Sequence, residues 1–304
     1  MRIYYLVIAD MRALELYASI LEGVFVTGAK LMHKRSSEKA SADEINLTPS
    51  KIETSIATLA DNIYKFFVKL TRQNPSAFTK VKDNGEYKTY YHPLVLDEVL
   101  MTSRLWEIYV RRALMVAPND IFVDVGAHIG TYTIPIAKKA QKVIAFEPNK
   151  YTFELLTKNI SLNHLTNIVA YNLAASKKEG SLSFTYEDLP SWSRIIDGEQ
   201  STNVTLRENA KGHDNNIHLV NTIDLDSVLL KEDRVDWIKI DVEGHEMDVL
   251  EGAMQTIRMH KPKIIIEIWS RNMEKIETMT HSFGYSMEHI WQEYFLLEPL
   301  LDTK

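Results

Sequence analysis

The sequence has no cysteine among its 304 residues. Disulfides, thiolate nucleophiles and cysteine-ligated zinc are therefore excluded, and the chemistry must come from oxygen and nitrogen groups. Nor does any stretch reach the ~18 uncharged apolar residues that a membrane-spanning helix needs. An excess of positive charge is also absent: 35 Lys and Arg face 41 Asp and Glu, giving a net charge of −6. That balance argues against a nucleic-acid surface as the main feature. Internal repeats and low-complexity runs are missing too. What is present, 45% hydrophobic and 25% charged residues, is ordinary globular composition with enough apolar side chains for a sizeable core. A soluble, cytoplasmic chain is the expectation, either as two domains or as one α/β domain with an N-terminal appendage.

Ile3 to Ala9, behind Arg2, has the look of a short signal segment, but charges return at Asp10 and Arg12 and no small-residue cleavage pattern follows. A helix to about Lys30 is expected instead, with Leu14, Tyr17, Leu21, Val24 and Phe25 at helical spacing. It would pack on its own domain or on a second copy; its mixed polar face disfavours a membrane surface. After a polar linker over Ser36 to Asp43, Thr48-Pro49 or the Ser50/Glu53 capping box opens a second helix. Its stripe is Ile52, Ile56, Leu59, Ile63, Phe66 and Leu70. Phe78 to Tyr91 alternates around Asp83-Asn84-Gly85, a tight-turn sequence, which predicts a β-hairpin. A further helix is expected from Asp97 to about Val116.

From Ile121 the rhythm changes to short apolar strands alternating with amphipathic helices, the pattern of a parallel sheet covered on both faces. The predicted strands are Ile121–Val125, Lys142–Glu147, Ile168–Asn172, Trp237–Val242 and Lys263–Trp269. A closing pair near Tyr285–Trp291 and Tyr294–Leu297 is too close in sequence to be anything but antiparallel. Tyr186 to Asn216 is polar and aperiodic, and reads as a loop or small insertion above the sheet.

Three motifs carry chemistry. In Asp124-Val125-Gly126-Ala127-His128-Ile129-Gly130-Thr131 a strand ends in an acid and passes through two glycines into a helix. Gly126 lets the backbone bend and a ligand approach, Gly130 permits close strand-to-helix packing, and the helix start offers free N–H groups. The spacing differs from the G-x-G-x-x-G of dinucleotide sites. A leading carboxylate would repel a pyrophosphate and favour an ammonium, which points to S-adenosylmethionine over NAD. In Phe146-Glu147-Pro148 an acid closes the next strand, where it can accept hydrogen bonds from ribose hydroxyls. Asn172 and Ala174 close the third strand, where an adenine would lie. In Ile240-Asp241-Val242-Glu243-Gly244-His245-Glu246 ionisable groups crowd a central strand tip, with Glu267 beside it, where open α/β sheets place ligands and catalysis.

These residues, with Thr222-Ile223-Asp224 and Val249-Leu250-Glu251-Gly252-Ala253, resemble the FkbM family of S-adenosylmethionine-dependent methyltransferases over about Ile121 to Trp269. The resemblance implies the class I, Rossmann-like, mostly parallel seven-stranded sheet with its last strand antiparallel. It also implies methyl transfer to an oxygen of a sugar, glycan or secondary metabolite. At His128 the sequence departs from the many relatives that carry Asn. The expected organisation is a helical extension over 1–75, a hairpin and helix over 76–118, and the cofactor-binding domain over 119–304.

An in-line methyl transfer to a hydroxyl needs alignment, exclusion of water and a base or metal ion to take the proton. The expected cofactor residues are Asp124, Gly126, Ala127, His128, Gly130, Thr131, Glu147, Pro148, Asn172, Ala174 and Asp241. Asp241, Glu243, His245 and Glu267 are the catalytic candidates. They are also hard ligands that could hold a divalent ion, although none is predicted. The Tyr186 to Asn216 stretch, with Trp192 and Arg194, is the expected acceptor lid. The expected partner is a small-molecule or glycan acceptor, with no nucleic acid and no membrane span, and the N-terminal helices offer a surface for a second copy. Two other readings stay open: an NAD-dependent oxidoreductase, and a binding module that keeps only the shape of the cofactor site.

Overall fold

The alternation of apolar and polar residues decides which side of each strand is buried, and here it also decides which side carries chemistry. The computed structural model describes residues 79–91, 98, 101–103, 106–186, 193–196 and 217–300. The two expected N-terminal helices, their linker, and most of the Tyr186 to Asn216 stretch, Trp192 included, lie outside the described residues. The chain divides into two compact units, residues 1–80 with 91–105 and residues 81–90 with 106–304. Nearly everything described belongs to the second.

The expected hairpin is present as β1 (Lys80–Asp83) and β2 (Lys88–Tyr91). Its turn is held by local side chains: Asp83 Oδ1 accepts from the Gly85 amide at 2.9 Å, and Asn84 Oδ1 from Glu86 and Tyr87 at 3.0 Å. Gly85 takes φ 82°, a conformation that glycine adopts without strain. The expected Asp97–Val116 helix is interrupted. Glu107 stands at φ 45° and starts the short helix α1 (Ile108–Ala113).

The core follows as β3 (Ile121–Val125), α2 (Thr133–Ala137), β4 (Lys142–Phe146), α3 (Lys150–Leu162) and β5 (Ile168–Tyr171). Asn149 caps α3, accepting from the Tyr151 and Thr152 amides. No helix follows β5. The chain instead builds β6 (Ala174–Ala175), β7 (Gly180–Tyr186), β8 (Ser193–Ile196) and β9 (Ile217–Ile223), a four-stranded sheet in the order β6-β9-β7-β8. Within the stretch read as a loop or small insertion, Ser193–Ile196 form β8, whose Arg194 is paired with Thr185 of β7. Polar and apolar residues alternate along Ser181, Leu182, Ser183, Phe184 and Thr185, a strand-like pattern in the sequence.

The chain returns through α4 (Asp226–Leu229), β10 (Trp237–Ile240), α5 (Glu246–Glu251), α6 (Met254–His260), β11 (Lys263–Glu267), α7 (Met273–Ser282), β12 (Tyr285–Trp291) and β13 (Tyr294–Pro299). The seven strands run in the order β12-β13-β11-β10-β3-β4-β5. The inner pairs are parallel, and β13 is antiparallel to both neighbours, as expected. One face buries Val123, Val125, Ile238, Ile240, Ile264 and Ile266 in the main core. The opposite face buries Phe122, Trp237 and Ile265, and then turns polar at its C-terminal edge. Period two places Asp124, Lys239, Asp241 and Glu267 on that second face. Among the described residues no helix is long and apolar enough to cross a membrane.

Candidate active site

β3 and β10 lie side by side, yet the chain leaves β3 toward β4 and leaves β10 toward β11. At such a switch point the C-terminal strand tips open a crevice. Three tips are bound to one another there. Gly126, at φ 83°, passes so close to β10 that a Cβ would stand 1.8 Å from the Asp241 carbonyl oxygen. The Gly126 and Ala127 amides both donate to the Phe146 carbonyl at 3.0 Å. His128, at φ 50°, turns its backbone N–H onto Glu147 Oε2 at 2.9 Å, and the Asn149 amide donates to Glu147 Oε1 at 2.8 Å. The Asn172 amide donates to the carbonyls of Glu147 and Pro148 at 2.8 and 3.0 Å. Burial raises the Glu147 carboxyl to about 7, against the stabilising pull of the Asn149 and His128 amides.

A second group gathers around Lys239, whose residue surface is 1% exposed. Its ammonium lies 2.9 Å from Asp241 Oδ2, and the residue stands in register with Asp124 on β3. Burial alone would lower this lysine, but the neighbouring acids, Asp241 first and Asp124 second, outweigh it and hold the ammonium above its ordinary range. Burial likewise opposes ionisation of Asp241, and Lys239 reverses the sign, keeping it below the usual carboxylate range. Tyr294 donates to the same Oδ2 at 2.9 Å. Glu267, the register partner of Tyr294, is pushed up to about 9 by burial and by Asp241 and Glu243, with a hydrogen bond to Asp241 adding to the rise.

The structure therefore brings together Asp124, Gly126, Ala127, His128, Glu147, Pro148 and Asn172 at the tips of β3, β4 and β5. Asp241, Glu243 and Glu267 meet at the tips of β10 and β11. Gly130 acts one step back: a Cβ there would meet Ile134 at 2.9 Å and Leu156 at 3.0 Å, so it sets how closely α2 packs on α3. Ala174 is buried within β6. His245 is placed differently from the other candidates. Its Nε2 is 3.0 Å from Ser176 Oγ and its Nδ1 3.3 Å from Asp248, so its ring is engaged behind the crevice.

Glu107, Tyr132, Lys239 and Tyr294 were given no role by the sequence. A lysine inside the apolar run Trp237–Ile240 was the visible signal, since a buried ammonium requires counter-charges. Glu107 has no such local signature. Oxygens of Asp241, Glu243 and Glu267 come within 4.8 Å of one another, close enough to hold a cation. An adenosyl amino acid fits the other group: Asp124 Oδ1 and Thr131 Oγ1 are buried with no hydrogen-bond partner among the described residues. The Gly126 side of the turn is filled by the Asp241 backbone, and Glu147 keeps lone pairs for hydroxyl donors.

Strand order, switch-point crevice and acid-tipped strands define a class I S-adenosylmethionine-dependent methyltransferase. The family model described as the methyltransferase FkbM domain matches residues 124–295, more than half of the 304 residues, and the chain belongs to that family. It is 27% identical over 188 residues to Methyltransferase 1 of Beauveria bassiana, covering 57% of this chain and 74% of that protein. It is 30% identical over 155 residues to the hexuronic acid methyltransferase AglP of Haloferax volcanii, covering 49% and 56%. The crystal structure of Methyltransferase FkbM from Methylobacillus flagellatus KT aligns at TM-score 0.43 and 19% identity over 62% of this chain and 46% of that one.

Proposed function

We propose that the protein moves a methyl group from S-adenosylmethionine to a hydroxyl oxygen of a sugar, glycan or other small-molecule acceptor, with residues 119–304 as the transferase domain. The observation that carries this reading is the pinned Glu147 carboxylate. Two backbone amides fix it at the tip next to the orphaned Asp124 oxygen, and the ionisable cluster of β10 and β11 stands across the Gly126 turn. The hexuronic acid methyltransferase among the relatives supports an oxygen acceptor on a sugar.

S-adenosylmethionine, when bound, supplies an electrophilic methyl carbon on a sulfonium. Glu147 accepts from the ribose hydroxyls, Asn172 braces the strand tip beside the adenine, and Asp124 and Asp241 face the amino-acid end. Lys239 competes for those two carboxylates, so the charge of Asp124 alone does not select the ammonium. A hydroxyl must lose its proton as the new C–O bond forms, and Glu267 takes it, with Glu243 beside it. Glu267, raised to about 9, holds its proton at neutral pH, and a positive charge entering the crevice favours its ionisation. His245 is set aside as the base because its ring is engaged. A cation on Asp241, Glu243 and Glu267 would instead assist by binding the hydroxyl oxygen.

Purified protein given labelled S-adenosylmethionine and a panel of uronic-acid and neutral glycans should release S-adenosylhomocysteine only with an acceptor. Cofactor binding without release on any acceptor or cell extract would favour the binding-module reading. The reading also includes a cytoplasmic location and pairing of copies through residues 1–75, the latter tested by sedimentation of the full chain against a chain starting at residue 76.

A further inference from the structure

The proton inventory behind Asp241 leads past the residues named so far. Tyr294 Oη lies 2.9 Å from Asp241 Oδ2 and 3.2 Å from Glu107 Oε1. A phenol has one proton to give. Asp241 is ion-paired with Lys239, so it is ionised and can only accept. If Glu107 were ionised as well, one of the two contacts would set lone pair against lone pair in a buried place, a costly arrangement. A proton on Glu107 Oε1 resolves both: Glu107 donates to Tyr294, and Tyr294 donates to Asp241. The other Glu107 oxygen, Oε2, is already occupied as the acceptor of the Tyr132 hydroxyl.

We propose that Glu107 is carried as the neutral carboxylic acid and, through Tyr294, positions Asp241 for methyl transfer. This rests on the reading of the crevice given above. Glu107 and Tyr294 are positioning residues, since they act through Asp241. The charged and titratable groups facing Glu107 agree with the assignment. Burial raises its carboxyl first and Asp241 second, while Lys239, Tyr132 and Tyr294 pull the other way without reversing the sign. Arg111 is directed elsewhere: its guanidinium lies 5.3 Å from the Tyr132 ring centre and donates to the Thr131 carbonyl at 3.0 Å and to the Tyr87 hydroxyl at 3.3 Å. The arrangement gives a segment with no recognisable motif a defined task, which is to hold the Asp241 carboxylate from behind while its other side meets the crevice.

Three variants test it. Glu107→Gln keeps both bonds, because its amide oxygen can accept from Tyr132 and its NH2 can donate to Tyr294, so turnover should stay within about threefold of wild type. Glu107→Leu and Tyr294→Phe break the chain and should lose roughly tenfold in kcat, the size of one hydrogen bond, while Glu107→Gln does not. The split between Glu107→Gln and Glu107→Leu is the readout that a merely space-filling role would not produce. An infrared difference spectrum, wild type minus Glu107→Gln, should show a protonated-carboxyl carbonyl band at neutral pH. It needs no turnover, so it still reports on Glu107 if methyl transfer itself fails. Absence of that band, equal damage in Glu107→Gln and Glu107→Leu, or full activity in Tyr294→Phe would overturn the proposal.

Discussion

The Lys239 ammonium sits 2.9 Å from the Asp241 carboxylate, and Asp124 is paired with the same lysine in register from the neighbouring strand. One buried cation thus serves two buried acids. Replacing it by Met leaves both acids without a counter-charge, and truncating one partner of a buried ion pair costs about 3–5 kcal/mol. Lys239→Met should lose stability of that order in urea titrations at pH 7 and regain part of it at low pH, where the acids protonate. An unchanged midpoint at pH 7 would mean that water reaches this group.

Glu147 ties stability and cofactor affinity to the same proton. Its carboxyl is raised in the folded state to about 7. The neutral form therefore stabilises the fold fully below the unfolded carboxyl range, near 4.3, and that contribution is lost as pH rises through about 7. The ceiling is about 4 kcal/mol. Thermal unfolding of the ligand-free protein should weaken between pH 5 and 8, and Glu147→Gln should flatten that slope. Cofactor affinity should run the opposite way, because ribose hydroxyls donate to the ionised form. Calorimetry should show S-adenosylhomocysteine binding tightening from pH 6 to 8 in the wild type alone. Glu147→Ala should weaken it by about 1–3 kcal/mol, and unchanged affinity would remove Glu147 from the site.

Gly126 faces two constraints at once. Its φ of 83° favours glycine, and a Cβ would collide with the Asp241 carbonyl at 1.8 Å. That neighbour is backbone at a central strand tip and has nowhere to move. Gly126→Ala should therefore cost more than about 2 kcal/mol and separate the β3 and β10 tips. Equilibrium unfolding measures the first effect and loss of cofactor binding the second; a variant of wild-type stability would show that the two tips are not in contact.

Much of this was legible because short apolar strands advertise themselves. The predicted Ile121–Val125 matches β3 residue for residue, and Asp124, Glu147, Asp241 and Glu267 were found because an acid at the end of an apolar run has no packing reason to be there. What stayed hidden was of two kinds. In β9 the apolar Leu219 is exposed and the polar Thr222 is buried, so the alternation carries little apolar contrast. Glu107 and Tyr294 lie 187 positions apart and meet only through the fold. Pairing over such a distance leaves no trace in local periodicity, and neither residue stands in a motif.

His245 separates what sequence suggests from what geometry provides. Histidine is the side chain whose ordinary range best suits a base at neutral pH, and its place between Glu243 and Glu246 sets it beside the acids in sequence. In space its ring is 4% exposed and spans Ser176 Oγ and Asp248. It joins the start of α5 to Ser176, the residue after β6, and Gly252 just past the other end of that helix packs so tightly that a Cβ would stand 2.0 Å from the Ser176 carbonyl. The ring is thus one of two attachments of α5 to Ser176. His245→Ala should cost about 1–3 kcal/mol of stability and leave kcat under saturating substrates within a few-fold. Glu267→Gln should do the reverse, reducing kcat by roughly a hundredfold or more, the usual scale for a lost base, with little change in unfolding midpoint. Paired urea titrations and saturating turnover measurements on the two variants decide the matter. A stable His245→Ala protein with a hundredfold lower kcat would make the histidine the base and transfer Glu267 to a supporting role.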